Sequence, residues 1–223
     1  MKKAFTMLEL VFVIVVIGIL AATVLPNTKT NPLQEAATQL VSHIRYTQHL
    51  AMIDDKFDSN DSNWYKKRWS IRFNSDNGSE FPVGTSREAY TIFADTTGVS
   101  DGNANLNEVA RNPENTSSFL SGGITGPNAL RITDDTFQGI KKMNLGLSYS
   151  ISDVVINGGC NNQSFGFDHL GRPINSRLNT YTNAYRNNDL IQSRCNIILI
   201  SSNPSDGNIT IAIEPETGYA HIL

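Results

Sequence analysis

The feature that most constrains this chain is an uninterrupted apolar run near its amino terminus. Between Phe5 and Leu25 the only polar side chains are those of Thr6, Glu9 and Thr23. About 21 residues in a helix that rises roughly 1.5 Å per residue span roughly 31 Å, the thickness of the hydrocarbon core of a bilayer. The run therefore predicts a single membrane-spanning helix.

The residues that precede the run indicate its orientation and its processing. Lys2 and Lys3 lie before it, and positive residues tend to stay in the cytoplasm, so we expect the bulk of the chain to be extracytoplasmic. An ordinary secretory signal places its small residue after the apolar core, which is then discarded. Here Ala4 comes first, so a cut after Ala4 keeps the helix and makes Phe5 the new amino terminus.

Glu9 is the only acid in this run, and the residues alone leave two interpretations of it open. Its carboxyl group can stay neutral or reach the nearby headgroups, since Glu9 lies close to one end of the run. Alternatively, its carboxylate awaits a cation from another helix, because acids inside membrane segments tend to face a partner rather than lipid.

Seven residues at the start of the run resemble a known processing signal. Lys3-Ala4-Phe5-Thr6-Met7-Leu8-Glu9, followed by an apolar helix, is similar to the class III signal of type IV pilins and type II secretion pseudopilins. The resemblance implies that a prepilin peptidase removes the leader 1–4 by cutting between Ala4 and Phe5, and that the same enzyme methylates the Phe5 amine. Ala4 stands where the family more often has Gly.

The resemblance also implies roles within a filament. Glu9 is expected to pair with the Phe5 amine of a neighbouring subunit. Gly18 and Pro26 resemble the positions where such helices loosen on assembly, and a proline that lacks an N–H gives a physical reason for this.

A second helical segment is predicted after the run. Asn31 is a favourable N-cap, Pro32 suits the first helical position, and Gln34 completes a capping box. A stripe with a period of about 3.6 residues follows through Ile53, formed by Leu33, Ala36, Ala37, Leu40, Val41, Ile44, Gln48, Ala51 and Met52. We interpret this stripe as a face that packs on a sheet rather than as a groove for a partner.

Residues 55–223 predict one β-rich head. Short runs of β-branched and aromatic residues bounded by turn formers are typical of strands, namely Trp69–Phe73, Tyr90–Phe93, Val154–Ile156, Phe165–Phe167, Ile197–Ile200 and Ile209–Ile213. The predicted fold class is α+β and pilin-like: one long N-terminal helix packed on an antiparallel β-sheet head. Segment 5–26 is its membrane half, which also mediates assembly, and segment 27–54 is its amphipathic half.

Three head motifs narrow the resemblance to the GspH/FimT-like minor pseudopilins. They are Thr91-Ile92-Phe93-Ala94-Asp95 with Gly98, Asp101 and Asn107-Glu108-Val109; then Phe167-Asp168-His169-Leu170-Gly171-Arg172-Pro173, similar to a late turn; and Glu216-Thr217-Gly218-Tyr219, similar to a closing strand. The loop 110–146 resembles no segment of that family.

Cys160 and Cys195 are the only cysteines. An even count in an exported head favours a disulfide, which would stabilise the fold by roughly 4 kcal/mol on the chain-entropy model. Two buried free thiols are the alternative, because the compartment is itself inferred.

The acidic loop after the second predicted strand offers candidate Ca²⁺ ligands in Asp101, Asn103, Asn105 and Glu108. Oxygen ligands at alternate positions suit Ca²⁺, but the spacing is not that of an EF-hand. We therefore favour a turn whose side chains cap their own backbone, and we expect neither a metal nor a cofactor.

Catalytic motifs are absent from the sequence. His43, His49, His169 and His221 include no metal-spaced pair, and no nucleophile elbow, Walker loop or dinucleotide fingerprint is present. We expect a protein that is not an enzyme, with His43 and His49 lining a helix surface.

One basic segment raises the alternative of DNA binding. Lys66, Lys67 and Arg68 lie beside Trp64, Tyr65 and Trp69, which combines charge with stacking surfaces. The net charge of −3 argues against it, and becomes −5 once Lys2 and Lys3 leave with the leader. We favour a solvated segment with Trp69 in the core.

The sequence therefore predicts a minor pseudopilin of a type II secretion pseudopilus, or of a related competence machine. Its expected location is the bacterial inner membrane in a single pass, with the head in the periplasm, and then the periplasmic pseudopilus. The expected partners are prepilin peptidase, membrane lipid before assembly, the inner-membrane assembly platform and other pilin or pseudopilin subunits. The alternative is a minor type IV pilin that binds DNA and takes part in its uptake.

Overall fold

A computed structural model describes residues 6–24, 31–75, 88–97, 102–124, 130–160, 163–175, 178–185 and 189–223 of the chain. The chain divides into two compact units, Met1–Asn31 and Pro32–Leu223. The first unit contains helix α1, Met7–Val24. Within the described ranges, no helix combines the length and the apolar character that a membrane crossing requires.

The second unit begins with helix α2, Pro32–Ile53, which starts at the proline as predicted. Its buried face consists of Leu33, Ala36, Ala37, Leu40, Val41, Ile44, Thr47 and Ala51. The predicted stripe was wrong at Met52, which is 46% exposed, and it missed Thr47. Thr47 can be buried because its hydroxyl donates a hydrogen bond to the His43 carbonyl oxygen at 2.8 Å.

The head contains eight strands in the described residues. They are β1 Trp69–Ser75, β2 Glu88–Ala94, β3 Ile151–Gly158, β4 Ser164–Phe167, β5 Pro173–Asn175, β6 Cys195–Ser201, β7 Asn208–Ile213 and β8 Ala220–Ile222. All pairings between these strands are antiparallel. A short helix α3, Leu145–Tyr149, precedes β3.

The strands form two four-stranded sheets in the described part of the chain, ordered β2-β1-β4-β5 and β3-β6-β7-β8. The structure is therefore α+β and antiparallel, as predicted, but the head contains two sheets where one antiparallel β-sheet head was predicted. The difference arises at β3, which follows β2 in sequence yet pairs with β6, and alternation within a strand carries no information about its partner.

Each predicted strand run lies inside an observed strand, whereas β5, β8 and α3 were not predicted. β5 and β8 have three residues each, too few to show alternation. The motif 216–219 was predicted as a strand but forms the turn before β8, in which Glu216 and Gly218 have φ values of 61° and 64°. A left-handed backbone at both positions ends an extended run.

Helix α2 packs on both sheets, because its stripe shares one hydrophobic core with residues from each of them. Leu40 and Ile44 belong to the same buried cluster as Ile71 of the first sheet and Ile211 of the second. The predicted packing of this helix on a sheet is confirmed. Residues 25–30 lie outside the described ranges, so one continuous long helix stays a prediction.

Candidate functional site

Glu9 makes a capping box at the start of α1. The Thr6 backbone N–H and the Thr6 hydroxyl each donate to Glu9 Oε2 at 2.9 Å, and the Glu9 N–H donates to Thr6 Oγ1 at 3.3 Å. This arrangement satisfies N–H groups that the first turn of a helix leaves without partners. The Thr-x-x-Glu spacing signals such a box, and the sequence interpretation overlooked it.

The cap uses one of the two carboxylate oxygens of Glu9, Oε2. Glu9 Oε1 accepts no hydrogen bond from the residues that the structure describes, and its side chain is exposed. Glu9 thus has a local role that needs only an acceptor oxygen, and a second acceptor that remains available to a donor from another molecule. Gln at this position would preserve the first role and remove the charge.

The surface of α1 is apolar on all sides. Every large apolar side chain from Met7 to Leu20 is between 41% and 86% exposed. A helix with this pattern is normally covered by protein or lipid. Gly18 lies within α1 without interrupting it, and Ala4, Phe5 and Pro26 lie outside the described residues.

The basic segment is less accessible than the sequence suggested. Trp64–Lys67 forms a single 3-10 turn, in which Trp64 and Tyr65 are buried. Lys67 Nζ pairs with Asp61 Oδ2 at 2.7 Å, and Arg68 is only 8% exposed. The interpretation of this whole segment as solvated was wrong, because Arg68 and both aromatic rings pack into the head.

Trp69 lies at the margin of the core rather than inside it. Its side chain is half-buried and packs against the main cluster. Its indole N–H donates to Asp54 Oδ2 at 2.9 Å, and Lys56 Nζ lies 5.0 Å from its ring centroid. These contacts occupy the ring that the DNA-binding alternative would need for stacking.

The acidic loop satisfies its own backbone. Glu108 Oε1 accepts from the Thr97 N–H at 2.6 Å, and Glu108 Oε2 accepts from the Asn105 N–H and side-chain amide at 3.0 Å. Although burial opposes it, these hydrogen bonds hold the pKa of the Glu108 carboxyl below its ordinary value. The favoured interpretation, in which side chains cap their own backbone, is confirmed at Asn105 and Glu108.

Asn103 and Asp101 are the other two candidate Ca²⁺ ligands. Arg72 Nη1 donates to Asn103 Oδ1 at 2.8 Å, so a positive charge already holds this oxygen. Asp101 lies outside the described residues. Over the described ranges, no group of three His, Cys, Asp or Glu side chains converges as metal ligands would.

Cys160 and Cys195 form a disulfide, the pairing that the sequence predicted rather than its free-thiol alternative. Both cysteines are fully buried, and the bond joins the residues that follow β3 to the start of β6. Gly158 pairs with Cys195 in the strand register, so the bond reinforces an existing ladder.

His43 belongs to a partly buried polar network, which corrects its placement on the helix surface. His43 Nδ1 lies 2.6 Å from the Tyr90 hydroxyl, which also accepts from Gln39 Nε2 at 2.9 Å. Burial lowers the pKa of the His43 imidazole to about 4. His49 is exposed, as expected.

The network continues along α2 toward its start. Gln39 Oε1 accepts from the Tyr149 hydroxyl at 2.9 Å, and Glu35 Oε1 pairs with Lys142 Nζ at 2.7 Å. Glu35, Gln39 and His43 are spaced by four residues and so lie on one face of the helix. Glu35 and Gln39 fix the helix to α3 and the turn before it, and His43 fixes it to β2, which sequence periodicity did not indicate.

Gln48 ties α2 to two turns of the head. Gln48 Nε2 donates to the Gly171 carbonyl oxygen at 2.7 Å and to the Thr217 carbonyl oxygen at 2.8 Å. A Cβ added at Gly218 would lie 2.4 Å from the Gly171 oxygen, so the two turns need glycine to approach this closely. The late turn and the closing motif of the sequence therefore meet at one side chain of α2.

Asp168 organises the first of these turns. Asp168 Oδ1 accepts from the backbone N–H groups of Leu170 and Arg172 at 3.0 and 2.9 Å, and Oδ2 accepts from Arg172 Nε at 2.8 Å. The motif Phe-Asp-x-x-Gly-Arg-Pro is thus a structural turn whose acid and arginine hold each other. Exposed His169 belongs to the same turn, and half-buried His221 lies in β8.

Comparisons of the chain with protein-family models, with curated proteins and with solved structures return no match.

Proposed function

We propose that this chain is a minor pseudopilin, a structural subunit that assembles through its N-terminal helix into the pseudopilus of a type II secretion or related competence machine. One observation carries the proposal. The leader 1–4, with a motif at residues 3–9 that resembles a prepilin signal, precedes a helix whose large apolar side chains are exposed on all sides from Met7 to Leu20.

Large apolar side chains with this exposure require a cover of lipid or protein. The apolar run of the sequence extends from Phe5 to Leu25, beyond the bounds of α1, and this full run is what we propose to enter the inner membrane. After processing, α1 helices of other pilin or pseudopilin subunits replace the lipid. The assembly platform in the membrane would guide that exchange.

Glu9 gives the assembly its proposed register. A free amine at Phe5 of a neighbouring subunit would meet Glu9 in apolar surroundings, where the attraction between unlike charges is stronger than in water. The available Oε1 supports this proposal, because the cap on Thr6 can persist while a second donor binds.

The head is proposed to stay in the periplasm. The disulfide between Cys160 and Cys195 supports this location, because such bonds persist in oxidising compartments. The DNA-binding alternative has less support, since Lys67 is paired, Arg68 is buried and the net charge is negative. We expect no appreciable DNA binding at physiological salt, with or without changes of Lys66, Lys67 and Arg68 to Ala.

The test of this proposal is the amino terminus of the mature protein. Mass spectrometry of protein purified from membranes should find a chain that begins at Phe5 with an N-methyl group. The matched control Ala4→Leu enlarges the small residue before the bond and should leave the leader attached. A mature chain that begins near Thr23, where a conventional signal peptidase would cut, contradicts the proposal.

A further inference from the structure

A cleft of about 380 Å³ opens beside the turn that Asp168 organises. Arg68, Arg172, Tyr185 and Asp189 line it together with Asp168. The cleft lies within the head and is separate from the helix surfaces described above.

Arg68 is the unusual member of this group. It is 8% exposed, and within the described residues its side chain donates one hydrogen bond, from Nη2 to the Ala184 carbonyl oxygen at 3.3 Å. Its guanidinium carbon lies 5.1 Å from the Trp64 ring centroid. No carboxylate among the described residues forms an ion pair with it.

A buried cation without a paired anion is costly, because water is removed from the charge without compensation. Burial lowers the pKa of the Arg68 guanidinium, and the negative charges of Asp168 and Asp189 oppose that shift from a distance. Asp168 cannot turn to Arg68, since the turn and Arg172 occupy both of its oxygens. Among the described residues, Arg68 therefore lines the cleft with a guanidinium that hydrogen-bonds to the Ala184 carbonyl oxygen and forms no ion pair.

Aromatic rings lie beside Arg68, and one of them, Tyr185, lines the cleft. Phe57 and Tyr185 meet the Trp64 ring edge-on, with centroids 5.2 and 6.2 Å away. Trp64 is nearly buried, whereas Phe57 and Tyr185 are 59% and 77% exposed. Tryptophan, tyrosine and arginine are the residues most often found at the centre of protein–protein interfaces.

We infer that this cleft binds an acidic side chain of a partner protein, with its carboxylate on Arg68 and a neighbouring aromatic side chain against Phe57, Trp64 and Tyr185. A planar guanidinium can hold a carboxylate with two parallel hydrogen bonds. A nucleic-acid backbone fits less well, because Asp168 and Asp189 border the same cleft and would repel successive phosphates. A single carboxylate meets less of that repulsion than a run of phosphates, because Arg172 already neutralises Asp168 at 2.8 Å.

The test uses full-length protein in mild detergent and two acetylated, amidated peptides, Phe-Asp-Phe and Phe-Asn-Phe. Titration calorimetry should show that the Asp peptide binds about tenfold or more tightly than the Asn peptide, since only the former makes a charge-assisted bond. Equal affinities, or no binding of the Asp peptide, would overturn the inference.

Arg68→Met separates a binding role from a structural one. Methionine is apolar and of similar length, so this variant should lose the preference for the Asp peptide without lowering the melting temperature. Lys66→Met removes the same charge two residues away and should leave the preference intact. A lowered melting temperature in Arg68→Met, or DNA binding by the unmodified protein that depends on Arg68, would contradict our assignment.

Discussion

The two long helices of this protein differ in what covers them. Helix α2 buries one face in a core shared by both sheets and exposes the other. Helix α1 has no polar face, and its large apolar side chains up to Leu20 are exposed. A helix with one apolar stripe packs that stripe on a core, whereas a helix that is apolar all round is normally buried on every side, in a protein core or in a membrane.

The polar residues of the two helices differ in the same way. On α2, Gln39, His43 and Gln48 hold other parts of the head through hydrogen bonds. On α1, the Glu9 side chain accepts hydrogen bonds from Thr6, within its own first turn, and from no other residue that the structure describes. Substitutions in α2 should therefore act on folding, and substitutions in α1 should act on association.

The largest expected effect comes from a matched pair of Leu→Ala changes. Leu40→Ala empties a fully buried site in α2 and should lower the free energy of unfolding of the head by about 2–5 kcal/mol. Leu10→Ala, at a 56% exposed site in α1, should change it by less than about 0.5 kcal/mol. Urea unfolding of full-length protein in detergent, followed by tryptophan fluorescence, measures both, and equal losses would contradict the division between the helices.

A smaller effect should appear with pH, through His43. Burial lowers the pKa of its imidazole from its ordinary value of 6.5 to about 4 in the folded state. As pH falls below about 6.5 the unfolded chain takes up the proton first, so folding stability should decline by up to about 3 kcal/mol by pH 4.

The His43 contribution is measured against His43→Gln, which stays neutral. The comparison also removes the contribution of Glu88, which is the same in both proteins. Burial raises the pKa of the Glu88 carboxyl to about 7, so its protonation favours the folded state as pH falls. Thermal unfolding between pH 7 and 4 should show a steeper loss in the unmodified protein. Parallel profiles for both proteins would show that His43 titrates normally.

The smallest of the expected stability effects concerns Gln48. Gln48→Ala removes the hydrogen bonds to the Gly171 and Thr217 oxygens and should cost about 1–2 kcal/mol. Ser42→Ala, at an exposed position of α2, is the control and should cost less than about 0.5 kcal/mol. Hydrogen exchange of the two turns should accelerate only in Gln48→Ala, and unchanged exchange would argue against a tie between α2 and the turns.

Local features of the fold could be predicted from the sequence. Pro32 and Asn31 identified the start of α2, and each predicted strand run lies within a strand. These features depend on residues close together in sequence. The division into two sheets depends instead on which strand β3 joins, and no local pattern encodes that choice.

The candidate site likewise contains features that depend on neighbouring residues in sequence and features that depend on tertiary contacts. The capping box between Thr6 and Glu9 could have been predicted from the Thr-x-x-Glu spacing, but the sequence interpretation did not include it. The burial of Arg68 could not be predicted from the sequence, because arginine side chains are mostly exposed. Only its tertiary contacts show that this one is buried. The network of His43 and Tyr90 likewise joins residues 47 positions apart.

The most direct test of the central claim asks whether the charge of Glu9, rather than its cap, brings α1 helices together. Single cysteines introduced in α1, such as Val13→Cys, would report contacts between subunits by oxidative crosslinking in cells, since both native cysteines are buried and paired. Glu9→Leu removes the charge and the cap, Glu9→Gln removes the charge but keeps an acceptor for Thr6, and Glu9→Asp keeps the charge with a shorter reach.

Our account predicts that crosslinking falls by roughly tenfold or more in Glu9→Leu and Glu9→Gln alike, and to an intermediate extent in Glu9→Asp, because a charge-assisted bond is lost or weakened. Cleavage at Phe5 and membrane insertion should be unchanged in all three. Crosslinking of Glu9→Gln at the unmodified rate would show that Glu9 serves only as a helix cap, and would contradict the proposed assembly through its charge.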